Sequence, residues 1–342
     1  MIQPLGPIGD RSGLWVEAAV AIFLVLFPIV FPLVGGDSSL ATRILVLGLF
    51  GLGVDLIFGF TGLLSFGQAA FYGTGGFVTA YLTIHHIVDA TIPALIVGTL
   101  VAAFFGFVIG TLALRQVGVY FAMLTLAFSQ LFYFLDNSPL RNFTGGENGL
   151  PGVPRPVIPL GFTTIELHSN LGVYGFVAVL YFIGFVVARR IVRSPFGAVL
   201  RSILENSGRA AAVGHDVGRY KLTIFTIAAA YGGLAGGLLG IFQGYMPPDA
   251  FTVDQSGEII VMTVIGGAGT LIGPLIGAGI WLFLRQELQA VALVSGGWKL
   301  ILGIVFVLLV TGFRRGVAGG VISLFGRRRR TSPPPAAPAA EA

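Results

Sequence analysis

Long apolar runs separated by short polar ones set the pattern of this chain. Ten runs stand out, at about 14–34, 44–60, 66–84, 91–114, 117–135, 172–188, 222–243, 257–270, 272–291 and 297–313. Most come close to the ~20 apolar residues a helix needs to cross the hydrocarbon core of a bilayer. They predict an all-α polytopic membrane protein of about ten transmembrane segments. Glycine or proline interrupts several runs. For 44–60, 66–84 and 257–270 a broken or re-entrant course stands beside a straight one.

Composition closes the soluble alternative. Apolar residues make up 55% of the 342 and charged residues only 10%, against roughly 25% charged in soluble domains. Mean hydropathy is +0.90. There is too little charge to cover a water-facing surface. Glycine, at 51 residues, suits close packing between membrane helices. Zero cysteines exclude disulfides, iron–sulfur clusters and thiol catalysis.

The net charge of +5 matters less than its distribution. With a cytoplasmic start and ten alternating spans, both termini are cytoplasmic. Fifteen of the twenty lysines and arginines then lie inside: Arg11, Arg115, the seven of 189–221, Arg314, Arg315 and Arg327 to Arg330. Arg43, Arg141, Arg155, Arg285 and Lys299 lie outside. That excess is the positive-inside bias of an oriented membrane protein. Residues 14–34 exceed a signal-peptide core and lack a small-residue cleavage site, so they read as an uncleaved first span. Residues 1–320 form the transmembrane domain. Residues 321–342 read as a basic, Pro/Ala-rich cytoplasmic tail without a core to bury. Its arginine run suits a topology anchor or headgroup contact, with partner binding as the other reading.

Catalytic signatures are missing. The two lysines, Lys221 and Lys299, follow Tyr220 and Trp298, so no G-K-[ST] phosphate loop exists. His85, His86, His168 and His215 make no H-E-x-x-H pair, and no G-x-S-x-G elbow occurs. The chain reads as a non-enzyme that hydrolyses no ATP unaided and holds no metal. Gly73 and Gly75 lie inside an apolar run, not after a soluble strand, so they argue against a dinucleotide fingerprint.

Five features ask for a role. The inside stretch 189–221 reads as one or two short helices, with Ser194 as N-cap and Pro195 at N1. Its Phe196–Leu204 portion is amphipathic, Gly208 and Gly214 are natural breaks, and Ala210 to Val213 form a small-residue patch. Docking to another protein and interfacial lipid contact both fit it. Second, GFTGLLSFGQAAFYGTGG (59–76) sets Thr61, Ser65 and Gln68 among glycines at membrane depth. Such backbone suits either tight packing or a watery path. It is echoed at 266–279, where Gly266, Gly269 and Leu271 repeat the spacing of Gly59, Gly62 and Leu64. Third, Asp55 sits within an apolar run, as cap of a broken helix or as path residue, and Glu17 reads as interfacial. Fourth, Gly232, Gly236, Gly240 and Gly244 recur at spacing four, a helix-packing seam. Last, the long outside loop 136–171 carries Arg141, Glu147 and Arg155, which suit a soluble partner.

The segments FGFTGLLSFGQAAFYGTGGFVTAYL (58–82), FTGGENGLPGVPRP (143–156), RSPFGAVLRSILENSGRAAAVGHDVGRYKL (193–222), GGLAGGLLGIFQGYMPPDAF (232–251) and GEIIVMTVIGGAGTLIGPLIGA (257–278) resemble LivM-type permeases of branched-chain amino acid ABC importers. The resemblance covers about residues 40–315. It implies a bacterial inner-membrane permease forming half of a translocation pathway. Its partners would be a homologous LivH-like permease, two cytoplasmic ATPase subunits and a periplasmic solute-binding protein, in lipid and without nucleic acid. No cofactor is implied on this chain, since ATP and magnesium would sit on the ATPases. Arg201, Glu205, Asn206, Ala211 and Gly214 match the core of the family's ATPase-coupling loop. Asp55, Thr61, Ser65 and Gln68 would border the substrate path, and Arg141, Glu147 and Arg155 would meet the binding protein. Asp55 stands where asparagine is usual in the family and Gln68 where histidine is usual. Related permeases move urea, short amides or aromatic acids, so these solutes remain alternatives. From a different class, an ion-coupled secondary transporter would have to rely on Asp55.

Overall fold

In a computed structural model, describing residues 11–31, 37–160, 163–167, 169–290, 297–312 and 316–317, each of the ten apolar runs is a helix. The helices are α1 (Arg11–Val30), α2 (Ser38–Thr61), α3 (Gln68–Ile84), α4 (Thr91–Ala113), α5 (Val119–Asn137), α6 (Arg141–Thr144), α7 (Asn170–Arg193), α8 (Pro195–Glu205), α9 (Ser207–Ala212), α10 (Val217–Gln243), α11 (Val253–Gly266), α12 (Gly273–Ala290) and α13 (Trp298–Gly312). Among the described residues α2, α4, α5, α7 and α10 are long and apolar enough to cross a membrane. The tail 321–342, with its arginine run, and His168 lie outside the described residues.

Two small antiparallel sheets depart from an all-α reading. Strand β1 (Leu150–Pro151) pairs with β4 (Tyr245–Met246), Leu150 facing Met246. Strands β2 (Val157–Leu160) and β3 (Thr163–Glu166) form a hairpin with Val157 facing Glu166. The first sheet ties the 136–171 loop to the end of α10, and the Val157 N–H donates to Thr91 Oγ1 at 2.7 Å.

Helix α2 is the centre of the bundle, buried along nearly all of Ala41–Thr61, as a helix apolar on every face should be. Its neighbours are α7, α10, α11 and α12. By contrast α4 exposes Ile96, Leu100, Phe104 and Phe107, and α5 exposes Tyr120, Met123 and Phe134. Such apolar surface suits lipid rather than water.

Helix α10 packs by its glycines. A Cβ on Gly236 would fall on the Tyr72 carbonyl, and one on Gly75 of α3 would fall on the Gly233 backbone. The predicted seam therefore holds at Gly236, while a Cβ on Gly232 would make only ordinary contact with Phe50, Phe71 and Tyr72. Gly240 meets only Met246, and Gly244 ends the helix with φ +66. A second row, Gly233 and Gly237, faces Ala102 and Leu95 of α4.

One sequence reading is corrected. Helix α7 continues to Arg193, because its apolar face continues through the buried Ala188 and Val192. Arg189, Arg190 and Arg193 are thus helical, and the connecting stretch begins at Ser194. Glu17, read as interfacial, is half-buried in α1. It pairs with the largely buried Arg189 at 3.0 Å, tying α1 to α7, where Tyr174 Oη also donates to the Leu24 carbonyl at 2.7 Å.

Candidate functional site

At one end of the bundle, α8 and α9 form a surface ledge. Ser194 caps α8, its Oγ accepting from Gly197 N–H at 3.4 Å, with Pro195 at N1. Leu200 and Ile203 are buried, so the amphipathic face predicted for 196–204 packs inward. Arg201 is half-buried and donates through Nη2 to the Val192 carbonyl at 2.7 Å. It fastens α8 to α7 rather than facing out. Asn206 ends α8 and caps α9, Oδ1 accepting from Arg209 N–H at 2.9 Å. The break expected at Gly208 therefore falls at Asn206, whose side chain supplies a cap that glycine lacks. Gly214 has φ +98, a conformation that favours glycine. Glu205, Asn206, Ala211 and Gly214 are exposed beside Val213, with Ala210 buried beneath.

The ledge touches the membrane part at one informative point. A Cβ on Gly62 would meet the Leu204 δ-methyl at 3.0 Å. Gly62 is the left-handed C-cap of α2, φ +71, and opens the non-helical stretch 62–67 before α3. The 44–60 and 66–84 runs are thus continuous helices, with the break between them. The third suspect behaves alike: α11 ends at Gly266 and 267–272 is non-helical before α12.

The first break is held by neutral side chains. Phe66 N–H donates to Thr125 Oγ1 at 3.2 Å and Ala69 N–H to Ser256 Oγ at 2.9 Å. Ser65 Oγ accepts from Gly67 N–H at 3.3 Å and from Gln68 Nε2 at 3.5 Å. The Gln68 Oε1 is buried without a partner among the described residues. Thr61 spends its hydroxyl on the Ile57 carbonyl at 2.5 Å. Asp55 serves the other break: Oδ1 accepts from Gly269 N–H at 2.6 Å and Oδ2 from Leu271 N–H at 3.1 Å. Of its two sequence readings, the cap is what the geometry displays. Gly59 lies against Gly269 so closely that a Cβ would fall on the Gly269 nitrogen, so the two echoed glycine motifs touch. Thr125 and Ser256 were not identified from sequence, because a lone hydroxyl in an apolar run carries no spacing signal.

Arg43 lies in the second turn of α2 and Gly62 caps its end, about 28 Å apart at 1.5 Å per residue. Two cavities that share Gln243 lie at the Arg43 end. One, about 270 Å³, is lined by Arg155, Asn170 and Gln243. The other, about 460 Å³, is lined by Arg43, Tyr72, Gln243, Gln255, Glu258 and Arg285 among others. Arg43, Arg155 and Arg285, all assigned outside from charge, thus share the end opposite the ledge. Arg141 and Glu147 are exposed in the same loop as Arg155. Asp55, Thr61, Ser65 and Gln68 line neither cavity. Among the described residues no cluster of three metal-ligating side chains occurs.

A family described as "Branched-chain amino acid transport system / permease component" matches residues 38–310. The chain is 30% identical over 292 residues, 79% of its length and 67% of the relative's, to the high-affinity branched-chain amino acid transport system permease protein LivM of Escherichia coli K12. It is 26% identical to the probable LivM of Methanocaldococcus jannaschii, covering 70% of this chain and 77% of that one. A probable LivH from that organism is 31% identical over 121 residues, 35% of this chain and 37% of the relative. No solved structure matches. With most of its length inside the family, and its apolar helices arranged as a multi-pass bundle, the chain is a membrane-embedded transport subunit, not an enzyme, and belongs to the LivM-type branched-chain amino acid permeases.

Proposed function

We propose that the chain is one of two permease subunits of an ATP-driven importer of branched-chain amino acids. It would lie in the bacterial inner membrane as a ten-span bundle with both termini cytoplasmic. A LivH-like permease would complete the pathway. Of two ATPase subunits carrying ATP and magnesium, one would dock on the α8–α9 ledge through Glu205, Asn206, Ala211 and Gly214, with Arg201 holding the ledge to α7. A periplasmic binding protein would sit on the opposite end, over Arg141, Glu147 and Arg155.

The observation that carries this reading is the contact of Leu204 with Gly62. A force on the ledge reaches the end of the central helix α2 and the break 62–67 without passing through any mobile loop. Ser65 lies in that break and Gln68 follows it, and the unpartnered Gln68 oxygen is an acceptor for a passing ammonium. The ion-coupled reading loses support on the same geometry. Its needed carboxylate, Asp55, has both oxygens engaged by backbone N–H groups.

The test is ATP-driven uptake of radiolabelled leucine, isoleucine and valine into vesicles bearing the assembled transporter. Glu205→Arg or Gly214→Arg is expected to abolish uptake and ATPase stimulation while leaving insertion intact. Wild-type uptake in both variants would overturn the docking assignment. Uptake by this chain alone in ion-loaded vesicles would overturn the importer reading.

A further inference from the structure

The 460 Å³ cavity beside Arg43 is built like a ligand site of small-molecule size. Its floor is apolar: Leu47, Leu239 and Tyr72 are all buried, and Tyr72 is held flat against Phe50 with ring centroids 4.6 Å apart. Its rim carries both signs of charge. One wall is fixed, because Glu258 Oε1 accepts from Arg285 Nη1 at 2.7 Å and from Trp281 Nε1 at 2.6 Å. Arg43, one turn before Leu47 on the same face of α2, is in a different state. Its Nε is buried with no hydrogen-bond partner among the described residues, and the same holds for Nε2 of Gln255 across the cavity. Buried donors without acceptors are costly. Two of them on one cavity call for an anionic group between them. Asp249 and Asp254, both exposed at the rim, offer the opposite sign to a cation beside it.

We propose that this cavity receives a free α-amino acid with an apolar side chain. Arg43 and Gln255 take its carboxylate, Asp249 and Asp254 face its ammonium, and Leu47, Leu239 and Tyr72 take the side chain. The inference rests on the reading of the chain as an amino-acid permease. It adds a receiving site on the side of Arg43, about 28 Å along α2 from Gly62, with Tyr72 and Gln255 reaching from the elements that hold the first break.

The test uses the full chain with its partner permease in lipid nanodiscs, without binding protein. Scintillation proximity reads tritiated L-leucine binding, with 4-methylpentanoate (leucine without its ammonium) and 3-methylbutylamine (leucine without its carboxylate) as competitors. Arg43→Gln is expected to weaken leucine by about tenfold or more and to erase competition by the acid while sparing the amine. Arg43→Lys restores competition by the acid, which separates recognition from misfolding. The paired variant Asp249→Asn with Asp254→Asn shows the mirror pattern. If Arg43→Gln leaves leucine and acid binding unchanged, the site is overturned. Absence of any leucine binding to wild type, in a complex that imports leucine, overturns the site and spares the importer reading. Import of other solutes but never leucine overturns the importer reading itself.

Discussion

The two breaks in the bundle have the same form and opposite chemistry. Each is six residues between two helices, at 62–67 and 267–272, and the second lies against the last turn of α2, where Gly59 meets Gly269. The first is held by neutral hydroxyls from α5 and α11 and by Ser65. The second is held by the Asp55 carboxylate, together with Thr270, whose Oγ1 donates to the Gly267 carbonyl at 2.6 Å and accepts from Gly273 N–H at 3.0 Å. Leu271, a non-glycine residue at φ +54, is in a conformation that costs about 1–3 kcal/mol, and its N–H is one of those Asp55 accepts. Two acceptor oxygens of one side chain hold the second break, while separate hydroxyls hold the first. On the proposed coupling, the second break would be the fixed point of the bundle and the first, touched by Leu204 at Gly62, the one that moves.

Substitutions can break this comparison. The largest effect is expected at the contact itself. Gly59→Leu puts a side chain into the Gly269 backbone, so no monodisperse protein should elute on size exclusion. Gly257→Leu, with open space around its Cβ, should elute as wild type; equal behaviour of the two would show that α2 need not touch the second break. Next is Asp55→Ala, which orphans two N–H groups at on the order of 1–3 kcal/mol each. Asp55→Asn keeps one acceptor, so its loss in denaturant midpoint should be about half as large, with transport retained. A denaturation curve of Asp55→Ala matching wild type would remove the fixed point. Ser256→Ala strands only the Ala69 N–H, for about 1 kcal/mol. Smallest is Thr125→Val, about 0.5–1 kcal/mol, since its bond to Phe66 N–H is longer, at 3.2 Å. Larger losses from the hydroxyl variants than from Asp55→Ala would reverse the ranking of the breaks.

Much of this was legible in residue order. Apolar runs of membrane length announced every long helix, and Ser194-Pro195 announced the start of α8, because both signals are local. The glycine echo of 59–64 and 266–271 pointed to two related elements, though only the fold brings them into contact. What sequence could not supply were pairings across the bundle. Asp55 looked equally like a cap and a path residue because its partners lie 214 and 216 positions away. Arg201 looked like a docking residue because nothing local reveals that it turns back to Val192. Leu204 passed as an ordinary apolar position of an amphipathic helix, and Arg43 as one outside cation among five. Long-range juxtaposition gives each its meaning.

The central claim is that force on α8 reaches the first break through Leu204. It is tested most directly by measuring leucine uptake and ATP hydrolysis on the same reconstituted complex carrying Leu204→Ala. Hydrolysis should continue at the wild-type rate while uptake falls by about tenfold. Unchanged uptake at an unchanged hydrolysis rate would contradict the claim.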